Sequence, residues 1–235
     1  MDLTVAVIAK ECLPGRVKTR MTPPLSPSQA AQLAQVSLAR TLDTARSLPA
    51  AHRLLVMDGT PRRRDAKGFR VIGQAPGTLD ERLAAFCDLA ARPVLILGMD
   101  TPQFSPKHIA ALLTDWSTPV PLHDAWLGLA MDGGFWALAL RRPQGHLVRG
   151  VPMSTDTTGS RQLTRLALHG LSTGLLPTLQ DMDFFSDAVA IAAGIPGTDF
   201  ASMVFAISAQ LAASGQLETE PTVPSPGQNW IGGRR

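Results

Sequence analysis

The chain has 235 residues, of which 45% are apolar and 17% charged, and its formal net charge is +3. We expect one large globular domain over residues 1–213 and a polar tail, rich in Pro and Gly, over residues 214–235. So small a net charge disfavours a nucleic-acid binder, and no apolar run reaches the roughly 18–20 residues that span a membrane. The two cysteines form no CxxC pair and the N-terminus shows no signal-peptide pattern, so we expect a cytoplasmic protein.

The first element is an apolar run, Leu3 to Ala9, which is typical of a strand buried on both faces. A basic loop follows directly, defined here as Lys10 to Arg20, and its cations are Lys10, Arg16, Lys18 and Arg20. Ligands of open α/β sheets bind at the carboxyl ends of strands, and Gly15 permits close approach of a backbone. The loop lacks the Walker and GxGxxG patterns. We expect it to bind a nucleoside di- or triphosphate, with a solvated turn as the alternative.

Strand-like and helix-like segments alternate up to about Val120. They are a helix capped by Ser26, strands over Arg53–Met57 and Phe69–Ile72, a helix from Thr78 to about Ala91, a strand over Pro93–Leu97 and a helix from Ser105 to about Trp116. A basic run, Arg62 to Lys67, falls between two of these strands and is interpreted as a solvated loop, with a second anion contact as the alternative. This alternation of strands and helices predicts a mostly parallel sheet with helices on both faces.

Asp100 follows the most strongly apolar of these strands. Ser105 already supplies the cap of the next helix, so Asp100 has no evident structural duty. A carboxylate at a strand end can bind Mg²⁺ or Mn²⁺, which prefer oxygen ligands and bridge to phosphates. We therefore predict Asp100 as a metal ligand, with a turn or capping role as the alternative.

The pattern changes in the second half of the chain. The predicted elements are strands over Ala125–Ala130 and Phe135–Leu140, a helix from Ser154 to about His169, a strand over Thr173–Leu176 and helices over Phe184–Ala193 and Ala201–Ala213. Asp132-Gly133-Gly134 is a hairpin signal, but Asp132 could also orient a hydroxylated substrate. Asp156 lies in a run that fits a helix start or a substrate contact. The pair Asp181 and Asp183 fits a cap or a second metal contact.

These residues resemble a bacterial family of GT-A-fold transferases, described as radical-SAM/selenodomain-associated or as glycosyltransferases linked to arsenosugar biosynthesis. The resemblance runs from about Val5 to Asp187 through an ordered set of blocks: Ala9-Lys10, Pro14–Arg20, Pro24-Leu25-Ser26, Leu79 with Glu81-Arg82, Gly98 with Asp100 and Pro102, Asp132–Trp136, Ser154–Thr157, and Leu176-Pro177 with Asp181–Asp183. The opening is also similar to guanylyltransferases of the phospholactate and molybdenum-cofactor type.

The resemblance implies a single three-layer α/β/α domain, Rossmann-like, with a mostly parallel mixed sheet. It implies that the first loop cradles nucleotide phosphates, which makes the nucleotide-binding candidates Lys10, Gly15, Arg16, Lys18, Thr19, Arg20 and Arg82. Asp100 and Asp183 are the implied metal ligands. Lys18, Arg20 and Asp100 are the expected catalytic residues, and Asp132, Gly133 and Asp156 are the expected substrate contacts.

The resemblance implies a transferase that uses a nucleotide-activated donor and a small-molecule acceptor. Two chemistries fit. A crowded basic loop favours nucleotidyl transfer, because departing pyrophosphate carries more charge. The extent of the resemblance favours glycosyl transfer from a nucleotide sugar, which we place slightly ahead. Met131 stands where the family has an acid, Asp80 where it has a second glycine and Phe135 where it has a tyrosine. The change at Met131 keeps a third hypothesis open, a nucleotide-binding protein without catalysis.

Overall fold

A seven-stranded sheet lies at the centre of the computed structural model, which describes residues 2–215. The strands are β1 (Thr4–Lys10), β2 (His52–Asp58), β3 (Arg70–Gly73), β4 (Val94–Leu97), β5 (Ala125–Ala130), β6 (Phe135–Leu140) and β7 (Thr173–Leu179). Their spatial order is β3-β2-β1-β4-β6-β5-β7. Only β6 runs antiparallel to its neighbours, β4 and β5. The sheet is therefore mixed and mostly parallel, as predicted.

Helices cover both faces of this sheet. They are α1 (Pro27–Ser47), α2 (Arg63–Ala66), α3 (Leu79–Leu89), α4 (Ala110–Trp116), α5 (Thr158–Leu168), α6 (Phe185–Gly194) and α7 (Asp199–Ala213). Val5 and Val7 of β1 pack into one core cluster with side chains of α1 and α4. Ala6 packs into the cluster on the opposite face, with side chains of α3 and α5. The alternation along β1 follows from the two-residue period of a strand, and it confirms the three-layer α/β/α fold.

A third core cluster joins the C-terminal helices to the basic loop. Side chains of α6 and α7 pack together with Met21, which ends the basic loop's last turn, and with Met182, which separates Asp181 from Asp183. Met21 and Met182 are both fully buried. The same small core therefore fixes the end of the basic loop and the segment that carries the two acids.

Most of the predicted elements are confirmed. The hairpin strands have the predicted bounds, and Ser26 caps α1 in a capping box with Gln29. The basic run from Arg62 to Lys67 was predicted as a loop, and this is wrong in one respect. Arg63–Ala66 forms one helical turn, because the buried Asp65 side chain accepts a 2.9 Å hydrogen bond from Gln35 of α1. Most of the tail predicted from residue 214 lies outside the described residues.

Candidate functional site

The candidate site forms where the carboxyl ends of β1 and β4 meet. These two strands pair in parallel, so the basic loop after β1 and Asp100 after β4 lie side by side. Met99 holds this junction. Its Sδ accepts a hydrogen bond from the Lys10 backbone N–H at 3.3 Å, and its carbonyl accepts one from Ser37 Oγ of α1 at 2.7 Å. The sheet therefore brings two segments together that are 80 to 90 residues apart in sequence.

The basic loop ends in a short 3₁₀ turn, Thr19–Met21, and Lys18 immediately before it has a left-handed backbone (φ +49°). This conformation costs a non-glycine residue about 1–2 kcal/mol. It accompanies a Lys18 side chain that is turned inward and is only 8% exposed. Gly15 also has a positive φ, +73°, with open space around the position of a Cβ. Gly15, Arg16 and Thr19 are exposed to solvent.

Lys18 bridges two carboxylates that are remote in sequence. Its Nζ lies 2.9 Å from Asp100 Oδ2 and 3.1 Å from Asp183 Oδ1. Arg20 Nη1 lies 2.6 Å from the other Asp183 oxygen. Two of the loop's four cations are thus paired with the acids expected to hold a metal, whereas Lys10 and Arg16 form no ion pair with any described residue.

The charge state of Lys18 follows from these contacts. Burial by itself would lower the pKa of the Lys18 ammonium, but Asp100 and Asp183 raise it above the ordinary value of 10.5. Lys18 is therefore charged at neutral pH, and it supplies a fixed positive charge between the two acids.

A cleft of about 770 Å³ opens beside this ion-pair network. Its lining is more acidic than the basic loop suggested. Three cations line it: Lys10, Arg20 and Arg82. Seven aspartates line it: Asp58, Asp100, Asp132, Asp156, Asp181, Asp183 and Asp187. A smaller cavity of about 240 Å³ adjoins it at the basic loop and is lined by Arg16, Lys18 and Thr19, among others. An anionic ligand would need additional positive charge to enter the larger cleft.

Three of these aspartates could hold a divalent cation together. Carboxylate oxygens of Asp132, Asp181 and Asp183 all lie within 4.8 Å of one another. Burial, and then the neighbouring charges of Asp132 and Asp183, raise the pKa of Asp181 to about 6. Mutual repulsion of this kind is relieved by a bound cation, and an all-oxygen donor set suits Mg²⁺ or Mn²⁺. The residues present therefore fit a divalent metal.

Asp100 offers a further ligand atom. Its Oδ2 is held by Lys18, but its Oδ1 is buried and has no hydrogen-bond partner among the described residues. A buried carboxylate oxygen without a partner is costly unless a ligand satisfies it. Asp183 is the acid common to the Lys18 bridge and to the carboxylate group around Asp132 and Asp181.

The remaining predicted residues are not all in the cleft. Arg82 lines it, and its Nη1 lies 3.0 Å from Asp58 Oδ2, which also lines the cleft. Asp156 lines it with an exposed side chain. Gly133 is not among the described residues that line the cleft, and glycine is required at this position for a structural reason. At φ +89° a Cβ on Gly133 would lie 1.9 Å from the Asp156 carbonyl oxygen, so only glycine allows the hairpin to contact the start of α5.

The sequence indicated Asp181 only as one of a pair with Asp183, which fits a helix cap or a second metal contact. The family resemblance then selected Asp183 alone as a metal ligand, so Asp181 was not among the predicted site residues. Asp58 and Gln74 were also missed, although both line the cleft beside Arg82. Each stands at the carboxyl end of a strand, β2 or β3, where a polar residue is a usable signal.

Residues 29–155 match a protein family described as "Uncharacterized protein conserved in bacteria (DUF2064)". The chain belongs to this family. No curated protein shows significant sequence similarity to it. No helix among residues 2–215 is long and apolar enough to cross a membrane.

Solved structures show which fold this family member has. A protein from Desulfovibrio desulfuricans G20, named provisionally as a nucleotide-diphospho-sugar transferase, is 20% identical with a TM-score of 0.74, covering 91% of this chain and 96% of its own. A cytidylyltransferase from Leptospira borgpetersenii serovar Hardjo-bovis (strain JB197) is 11% identical with a TM-score of 0.50, covering 93% and 98%. The inositol-1-phosphate CTP transferase from T. maritima is 10% identical with a TM-score of 0.50, covering 85% and 94%. The likeness shows that the chain has the same fold as these three proteins.

Proposed function

We propose that the protein is a metal-dependent transferase that takes a sugar from a nucleotide diphospho-sugar and passes it to a small-molecule acceptor. One observation carries the proposal: Lys18 lies between Asp100 and Asp183 at the edge of the sheet where this fold binds its ligands. Cations and carboxylates facing one cleft suit a phosphate group bound together with a metal. The finer resemblance, to transferases of the arsenosugar type, stays a prediction.

The charge of the cleft supports metal dependence. Its aspartates outnumber its cations by seven to three, so a free diphosphate would be repelled. The proposed metal ligands are Asp100 and Asp183, and Asp132 and Asp181 join them because their oxygens lie within 4.8 Å of those of Asp183. A bound divalent cation would neutralise phosphate oxygens and stabilise the charge that develops on the leaving diphosphate.

The chain's own cations have distinct proposed tasks. Lys10 and Arg16 are unpaired among the described residues, so both are available to phosphate oxygens. Lys18 and Arg20 keep Asp183 in place and add fixed positive charge beside the leaving group. A preorganised charge of this kind contributes about 2–4 kcal/mol to a transition state. Arg82, whose partner is Asp58 at the end of β2, is proposed to contact the nucleoside.

The ion pairs that Lys18 and Arg20 form with aspartates also bear on which bond of the donor breaks. A crowded basic loop favours nucleotidyl transfer, because departing pyrophosphate carries more charge. Two of the loop's four cations are paired with acids, however, and only Lys10 and Arg16 are without an ion pair among residues 2–215. Two free cations match the two negative charges of a diphosphate diester better than the larger charge of a triphosphate. This balance supports glycosyl transfer.

A thermal-unfolding screen tests the proposal. Purified protein is heated with a panel of nucleotide sugars or nucleoside triphosphates, each with Mg²⁺, Mn²⁺ or a chelator. At 100 times its dissociation constant a ligand adds about 2.7 kcal/mol, which is about 5–10 °C for a chain of this size. We expect such a shift with one nucleotide sugar and metal, and its loss with the chelator.

A matched pair of variants localises that shift. Asp183→Asn should abolish it, whereas Asp199→Asn, an exposed aspartate in the first turn of α7, should keep it. Stabilisation by triphosphates alone, followed by pyrophosphate release, would move the assignment to nucleotidyl transfer. No shift with any nucleotide would reject the proposal altogether.

A further inference from the structure

Two large apolar side chains are exposed at the mouth of the cleft. Met131, in the turn between β5 and β6, is 70% exposed, and Phe184, just before α6, is 51% exposed. Both line the cleft. Scattered exposed apolar residues are ordinary on a protein surface, but these two flank the same group of carboxylates, since Met131 adjoins Asp132 and Phe184 adjoins Asp183. Their shared position beside charged groups requires a separate explanation.

The backbone holds both residues in place. The Met131 N–H donates a 3.0 Å hydrogen bond to the Leu179 carbonyl at the end of β7. The Phe184 N–H donates a 2.6 Å hydrogen bond to Asp187 Oδ2. Hydrogen bonds thus fix both backbones, and the two exposed side chains are called the apolar rim, defined here as Met131 and Phe184.

The same wall of the cleft is negatively charged. Asp132, Asp181 and Asp183 form the carboxylate group, Asp156 is in backbone contact with the Asp132 turn, and Asp187 binds the Phe184 N–H. A divalent cation, the Arg20 guanidinium and the Lys18 ammonium together supply four positive charges against these five carboxylates. The wall therefore stays negative with metal bound, and it disfavours an anionic ligand.

We propose that the acceptor of the transfer is an uncharged alcohol with an apolar body, which lies on Met131 and Phe184 with its hydroxyl toward the carboxylates. The inference deepens the proposed function and rests on it. In the reaction a bond forms between the acceptor oxygen and the anomeric carbon of the sugar. The bond from that carbon to the diphosphate oxygen breaks, the nucleoside diphosphate leaves with the electron pair, and the hydroxyl proton is released to water.

The test measures binding of three probes to the full chain with Mg²⁺, by saturation-transfer NMR: 1-hexanol, glycerol and glycerol 3-phosphate. We expect 1-hexanol to bind most tightly and glycerol 3-phosphate least. The double variant Met131→Gln, Phe184→Ser should weaken 1-hexanol binding by about fivefold or more, because burial of such side chains is worth more than that factor. Its unfolding temperature should not change, since both side chains are exposed.

Leu168→Gln is the matched control, because Leu168 is 79% exposed at the end of α5 and is not among the residues that line the cleft. It should leave 1-hexanol binding unchanged. Tighter binding of glycerol 3-phosphate, or equal 1-hexanol affinity in the double variant, would overturn the inference. So would a double variant that loses affinity for the nucleotide sugar instead, because the rim would then hold the donor. Binding of the three probes is measured without any nucleotide, so failure of the proposed function is recognised separately in the nucleotide screen.

Discussion

Replacing Lys18 by Met removes the positive charge from the centre of the candidate site. The substitution keeps a flexible side chain but leaves Asp100 and Asp183 without the ammonium that lies about 3 Å from each. Removing one partner of a fully buried pair costs about 3–5 kcal/mol. Asp100 and Asp183 are 39% and 28% exposed, and Asp183 keeps its contact with Arg20. Water screens part of the loss, so we expect about 1–3 kcal/mol, or a fall of about 3–10 °C in the unfolding temperature.

The pH dependence of this loss has a definite sign. Because Asp100 and Asp183 raise the pKa of Lys18, its ammonium stabilises the fold from neutral pH up to the ordinary value of 10.5. That contribution disappears as pH rises through the higher folded-state pKa. The gap between the unfolding temperatures of the wild type and Lys18→Met should therefore be steady around neutral pH and close in strong alkali.

Differential scanning calorimetry with and without Mg²⁺ provides the assay. Without Lys18 the two acids repel each other, so Mg²⁺ should raise the unfolding temperature of Lys18→Met more than that of the wild type. Lys107→Met, at an exposed lysine that forms no ion pair with any described residue, is the control and should change little. If Lys18→Met unfolds at the wild-type temperature, and Mg²⁺ does not change that temperature, Lys18 does not bridge Asp100 and Asp183 as described.

Three further predictions concern the scaffold. Gly133→Ala should lower the free energy of unfolding by more than the 1–2 kcal/mol of a left-handed backbone, because a Cβ there meets the Asp156 carbonyl at 1.9 Å. Gly170→Ala, at φ +72° with open space, should cost only that amount, and equal losses in denaturant titrations would contradict this. Asp115→Asn should cost about 1–3 kcal/mol at neutral pH, since the carboxylate accepts hydrogen bonds from the Leu122 N–H and from Trp126 Nε1. Burial by itself would raise the pKa of Asp115, but the hydrogen bonds to its carboxylate lower it below the ordinary value. The stabilisation by this carboxylate is therefore present above about pH 4 and is lost as pH falls through the lowered pKa. A stability difference between the wild type and Asp115→Asn that persists in acid would contradict this. Burial raises the pKa of Cys12 and Cys87 to about 12, so iodoacetamide should label neither at pH 8 until the protein unfolds, as mass spectrometry would show.

Local sequence signals predicted most of the secondary structure. The alternating and continuous apolar runs gave β5 and β6 their observed bounds, and the Ser26 and Thr78 capping boxes marked the starts of α1 and α3. The helical turn Arg63–Ala66 was not predicted, because the hydrogen bond that stabilises it joins Asp65 to Gln35, 30 residues earlier in the chain. The position of β6 between β4 and β5 was not predicted either, because the order of strands in a sheet depends on packing that no local pattern encodes.

The candidate site was predictable in its location but not in its pairing. Strand ends placed Lys18 and Asp100 at one edge of the sheet. The residues Lys18 and Asp183 are 165 positions apart, so no local pattern predicts their contact. The sequence therefore indicated four cations available to a ligand, whereas in the structure Lys18 and Arg20 are paired with acids. The pair Asp181 and Asp183 fitted a helix cap as well as a metal contact, because the proximity to Asp132, which lies in a different loop, is not visible in the sequence.

The measurement that tests the central claim most directly identifies the phosphorus-containing product. The protein is incubated with Mg²⁺, the nucleotide sugar that stabilises it and 1-hexanol, and ³¹P NMR follows the reaction. We predict release of the nucleoside diphosphate, at a rate that Asp183→Asn abolishes and Asp199→Asn preserves. Pyrophosphate release from a nucleoside triphosphate, with the nucleotide sugar left intact, would contradict it.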